Sequence, residues 1–131
     1  MNDERVEYWL DLTDYDLETA KAMFKTKRYL YVAFMCHQVI EKGLKAVIAR
    51  DCEEGDIPPK IHNLVRLSEI SGLNLKMTSE QIKFIENLNP MNVEARYPEY
   101  KIELIAMLTK DKSKEIIKNT EEMLCWIKEQ L

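Results

Sequence analysis

Val6, Leu10, Thr13, Leu17, Ala20 and Phe24 recur at alternating spacings of four and three, with Trp9 and Met23 widening the stripe. That spacing predicts a helix over about residues 3–25 with one face turned to a bundle. Glu7, Asp11, Asp14, Glu18, Lys21 and Lys25 fall on the other side and read as a solvated face. A short turn at Thr26 to Arg28 then makes the next helix an antiparallel neighbour. This second helix, Tyr29 to Arg50, carries Ala33, Phe34, Ile40, Leu44, Val47 and Ile48 over most of its circumference. A helix so apolar is buried. Gly43 lies inside it at a cost of roughly 1 kcal/mol relative to Ala, which predicts the close approach of another helix.

After Arg50 the run DCEEGDIPPK, with Gly55 and the pair Pro58-Pro59, ends the helix in a surface loop. IHNLVRLSEISG reads as a short helix with Gly72 at its C-cap. Thr78 and Gln81 have capping-box spacing, Ile82, Ile85 and Leu88 follow at helical intervals, and this third long helix stops near Asn89 because the residue before Pro90 is pushed away from the helical region. Residues 90–101 show too little periodicity for a helix and are read as an ordered loop closed off by Pro98. A last helix, about 110–131, sets Ile116, Thr120, Met123 and Ile127 on one seam. The expected fold is all-α, one domain over 1–131: an up-and-down four-helix bundle with a short accessory helix between the second and third long helices. Trp9, Leu17, Phe34, Leu44, Ile85, Met123 and Ile127 are its expected core.

Composition agrees, since 131 residues with only three glycines and four prolines leave few turns for a many-stranded fold. The net charge of −4 gives the chain no basic footprint for duplex DNA. Its distribution is uneven: residues 1–26 hold seven acids and three bases, whereas 27–50 hold one acid and five bases. Cys36, Cys52 and Cys125 are an odd set without paired Cys/His spacing, which points to reduced thiols in the cytoplasm. The acidic N-terminus has no apolar signal-like run, and no segment has the length of a membrane span.

On the second helix His37, Glu41 and Lys45 lie one turn apart, with Gln38 and Lys42 beside them. A His next to a carboxylate suits a base or a ligand, but a hydrogen-bonded ladder that satisfies polar groups on a packed helix is the stronger reading of the stripe. A metal site would need further ligands, and only His62 is on offer, so neither a metal nor a cofactor is expected. Gln38, Lys42 and Lys45, joined by Arg96 from the loop ahead of Pro98, are the candidate anion or nucleotide site, with Arg supplying bidentate geometry and Lys point charges. His37, Glu41, His62 and Tyr97 are secondary candidates. Arg96 reads equally as a structural group pinning its loop to an acid such as Glu41. No catalytic residue is assigned, for nothing matches a nucleophile triad, a P-loop or a dinucleotide fingerprint.

HQVIEKGLKA on a second helix, IHNLVRL after a proline-containing loop and ARYPE after a third helix, in that order, resemble the HEPN domain, the higher eukaryote and prokaryote nucleotide-binding family. The resemblance spans nearly the whole chain and rests on His37, Gln38, Glu41, Lys42, Lys45, His62, Leu64, Arg96, Tyr97 and Pro98. It implies a helical up-and-down bundle, a homodimer and a partner of minimal nucleotidyltransferase fold, in a toxin–antitoxin-like or regulatory pair. Ribonuclease members carry an Arg four to six positions before a His, and neither His37 nor His62 has one there. The expectation is therefore a non-catalytic module that binds a nucleotide or a partner. The alternatives are a ribonuclease or toxin with an unorthodox site, and a purely structural dimerisation module.

Overall fold

In the computed structural model, which describes residues 3–53, 55–94 and 97–131, the first two amphipathic patterns become two 23-residue helices, α1 (Asp3–Lys25) and α2 (Tyr29–Asp51). They turn back on each other through Thr26 to Arg28. There Lys27 takes a left-handed φ of 62°, and the Arg28 and Lys27 amides close the end of α1 on the carbonyls of Met23 and Phe24. This is a Schellman closure, which normally favours glycine at the left-handed position.

Helix α3 (Leu64–Ser71) starts from Asn63, whose side chain accepts from the Arg66 amide, and ends at Gly72 with φ 77°. A 3-10 turn, Leu73–Leu75, leads to α4 (Ser79–Leu88). Thr78 and Gln81 form the expected capping box, at 3.1 and 2.9 Å. The long last helix, α7 (Lys110–Glu129), is capped by Thr109 and buries Ile116, Thr120, Met123 and Ile127 on one seam.

The stretch expected to be an ordered loop is instead helical where it is described, as α5 (Met91–Glu94) and α6 (Pro98–Met107). Two physical reasons account for the correction. Pro98 occupies the first helical turn, where its fixed φ and missing amide do no harm. Helix α6 is also apolar on several sides, so no 3.6-residue stripe announces it. The helix expected to be the third long one, α4, is only ten residues long, and no strand occurs among the described residues.

Helix α2 is central, packing against α1, α3, α4, α5, α6 and α7. Leu44, Ile85, Met123 and Ile127 are buried as expected, but Trp9, Leu17 and Phe34 are only partly so. Helix α1 lies along α2 and touches α7 more lightly, which leaves its flanks open. A Cβ on Gly43 would stand 3.3 Å from Ile127 Cδ1 and 3.6 Å from Leu124 Cδ1. The close approach inferred from that glycine is therefore the crossing of α2 and α7. Among the described residues no helix is long and apolar enough to cross a membrane.

Candidate functional site

Burying α2 takes its polar stripe inside as well, so every charge on it needs a partner. Glu41 is the hub, at 3% exposure. Lys45 Nζ donates to its Oε2 at 3.1 Å, and His62 Nδ1 lies 3.1 Å from both carboxylate oxygens. His37, fully buried one turn earlier, places Nδ1 3.7 Å from Oε1. Lys45, itself 6% exposed, also lies 5.7 Å over the Trp9 ring from α1, close enough for a cation–π contact.

Lys42 points the other way, to Asp16 of α1, with Nζ 2.5 Å from Oδ2. Asp16 is 6% exposed and Lys42 partly buried, so this pair joins the first two helices beneath the surface. Gln38 donates Nε2–H to Asn92 Oδ1 at 3.1 Å and ties α2 to α5. The backbone around His62 is anchored too: Arg5 of α1 donates to the Glu53 carbonyl at 3.3 Å and to the Asp56 carbonyl, and Asn89 accepts from the Leu64 amide at 2.8 Å. His62 is thus a tether that holds the loop before α3 on the hub, with its side chain 58% exposed.

The structure brings His37, Glu41, Lys45 and His62 into one cluster and sets Gln38 and Lys42 on its flank. Both lysines of the expected anion site have carboxylate partners, which leaves less positive charge for a ligand than the one-dimensional pattern suggests. Arg96, the fourth member, lies outside the described residues; Tyr97 is half exposed at the start of α6. Two participants went unnamed in the sequence, Asp16 and Asn92. Asp16 had a signal, since it stands three residues after Thr13 and four before Ala20 on the inward seam, where an acid demands a cation. Asn92 had none.

No group of three or more His, Cys, Asp or Glu that could hold a metal ion occurs among the described residues. A cleft of about 690 Å³ does exist, but it lies between α4 and α7, lined by Phe84, Leu88, Met91, Met107 and Ile116, away from the stripe.

The HEPN domain family model matches residues 6–130, nearly the entire chain. The crystal structure of TT1696 from Thermus thermophilus superposes with a TM-score of 0.84 over 100% of both chains at 19% identity, a likeness of fold. No curated protein matches the sequence. With the match running from the first helix to the last and the α2 motif at the centre of the bundle, the chain belongs to the HEPN domain family.

Proposed function

We propose that this chain is a non-catalytic HEPN module that binds a nucleotide or a partner protein and acts, as a homodimer, beside a protein of minimal nucleotidyltransferase fold. The observation that supports the non-catalytic part of the reading is the internal pairing of the α2 stripe. Lys45, Glu41 and His62 on one side, and Lys42 with Asp16 on the other, offset one another's charge and join α1, α2 and the loop before α3 into a rigid frame. In this reading the frame supports recognition, and Arg96 supplies the anion contact, with Gln38 orienting through Asn92. The nucleotidyltransferase partner is what the family resemblance implies. The test is Arg96→Ala, measured by calorimetric titration with ATP and by thermal melting. Loss of nucleotide binding with unchanged melting supports the reading. A large drop in melting temperature, with no nucleotide dependence in the wild type, makes Arg96 structural and overturns the nucleotide arm. Direct titration with the neighbouring nucleotidyltransferase, where one is encoded, tests the partner arm.

One observation favours a second reading. His62 Nδ1 faces a buried carboxylate while most of the ring is exposed. A carboxylate that fixes one imidazole nitrogen and leaves the other outward is the arrangement of a general base, as the ribonuclease alternative requires. Incubation of wild type and His62→Ala with labelled transfer and messenger RNA separates the two: cleavage lost in the variant favours catalysis.

A further inference from the structure

Two ion pairs set α1 and α7 antiparallel and in step. Lys128 meets Asp14 at 2.9 Å, and Lys21 meets Glu121 at 3.3 Å, seven residues later on α1 and seven earlier on α7. The last turns of α1 therefore lie beside the first turns of α7. Those two segments concentrate the cations of an acidic protein. Residues 20–28 and 110–118 hold eight bases and two acids, against eleven bases and twenty-one acids in the rest of the chain.

Between them runs a groove of about 630 Å³ with an apolar floor, made by Phe24 and by Ile117, which is 8% exposed. Phe24 is partly buried and packs its ring on Tyr29, with centroids 5.8 Å apart. Lysines edge the floor on both sides: Lys21 and Lys25 from α1, Lys114 and Lys118 from α7. Three acids border the groove as well, and each has positive charge beside it. Glu121 is held by Lys21, Glu115 lies 3.9 Å from Lys112, and Asp111 stands in the first turn of α7, at the positive end of the helix dipole. Lys25, Lys114 and Lys118 are exposed and have no ion-pair partner among the described residues.

The spacing of the lysines selects the occupant. On α7, Lys110, Lys114 and Lys118 recur every fourth residue, about 6 Å apart along the axis, and Lys21 and Lys25 repeat that step on α1. Acids at every fourth residue of a partner helix share the same step. A helix laid in the groove can thus seat an apolar stripe on Phe24 and Ile117 while its flanking acids meet the two lysine rows. A nucleic-acid strand fits less well, because the floor offers an aliphatic side chain and a ring already packed on Tyr29 rather than open rings for stacking bases. We propose that the α1–α7 groove docks an acidic amphipathic helix of a partner protein, with Lys25, Lys114 and Lys118 holding its carboxylates. This face shares no residue with the α2 stripe, and it stands whether or not Arg96 binds a nucleotide.

Fluorescence anisotropy on the full chain tests this with two labelled synthetic helices of about five turns. One carries a Leu stripe flanked on both sides by Glu at every fourth residue; the other has Lys in place of each Glu. The Glu helix is expected to bind about tenfold more tightly or better, and to weaken as salt is added. Equal binding of the two, or binding of neither, overturns the proposal. The triple variant Lys25→Glu/Lys114→Glu/Lys118→Glu changes only exposed side chains, so it should melt close to the wild type and prefer the Lys helix, an inversion that no unfolded chain gives. A folded triple variant that keeps the wild-type preference overturns the proposal. Where the reversal lowers the melting temperature, Lys25→Gln/Lys114→Gln/Lys118→Gln removes charge alone and should bind the Glu helix about tenfold more weakly; unchanged affinity overturns the docking site. A labelled uridine oligonucleotide that binds more tightly than the Glu helix and is lost in the same variants assigns the face to single-stranded nucleic acid instead. An assembly seen by light scattering that comes apart on reversal of these lysines assigns it to a second copy, and either result overturns the proposal.

Discussion

Glu41→Gln keeps the shape of the hub and removes its charge. Lys45, with a side chain only 7% exposed, would then hold an ammonium in the interior without its carboxylate. At 3.1 Å and an effective dielectric near 20, the attraction lost is about 5 kcal/mol. Removing one partner of a buried pair costs about 3–5 kcal/mol in practice. His62 contributes much less to this loss, since its side chain is 58% exposed, and an exposed pair is worth less than about 1 kcal/mol. The expected ordering is thus a loss of about 3–5 kcal/mol for Glu41→Gln and less than about 1 kcal/mol for His62→Ala. Adding Lys45→Met to Glu41→Gln removes the stranded charge along with its cause, so the double variant should regain most of the loss. Urea denaturation followed by circular dichroism measures all of these, with unchanged m-values showing that stability itself has moved. A loss below about 1 kcal/mol for Glu41→Gln, or a double variant no more stable than the single, would refute the view that the stripe is an internal frame.

Three other outcomes are expected. Leu44→Ala, at a fully buried position on α2, should cost about 2–5 kcal/mol in the same denaturation series, and a negligible cost would mean the wrong face has been placed inward. Lys27→Gly should stabilise the chain by about 0.5–1 kcal/mol, because a left-handed φ of 62° strains any residue with a Cβ; a lower melting temperature would contradict this. Burial pushes the Cys36 thiol from 9.0 up to about 12, against a smaller opposing effect of the Thr120 hydroxyl. Its contribution to stability is therefore complete below 9.0 and lost as the pH climbs toward 12. In a native thiol titration at a pH of about 8, exposed Cys125 should react fast and Cys36 only on unfolding; equal rates would show that Cys36 is accessible.

Long, regular seams made α1, α2 and α7 readable from the sequence, because a buried helix face repeats every 3.6 residues and nothing else in a chain of this composition does. Local chemistry was readable for the same reason: the Thr78–Gln81 capping box, the Gly72 C-cap and the helix crossing at Gly43 each rest on residues close in the chain or on one steric requirement. The three family motifs carried the HEPN assignment. Helix α6 was not legible, since Pro98 reads as a breaker until it is known to start a helix, and its apolar residues form no single stripe. The pairing of the α2 stripe was settled by tertiary structure. Sequence placed His37, Glu41 and Lys45 on one face, but Lys42 meets an acid 26 residues away, Gln38 an amide 54 away, and Glu41 a histidine 21 away. Charge pattern counts cations along a helix; only the packing of α1, the His62 loop and α5 against that helix decides which of them are already neutralised.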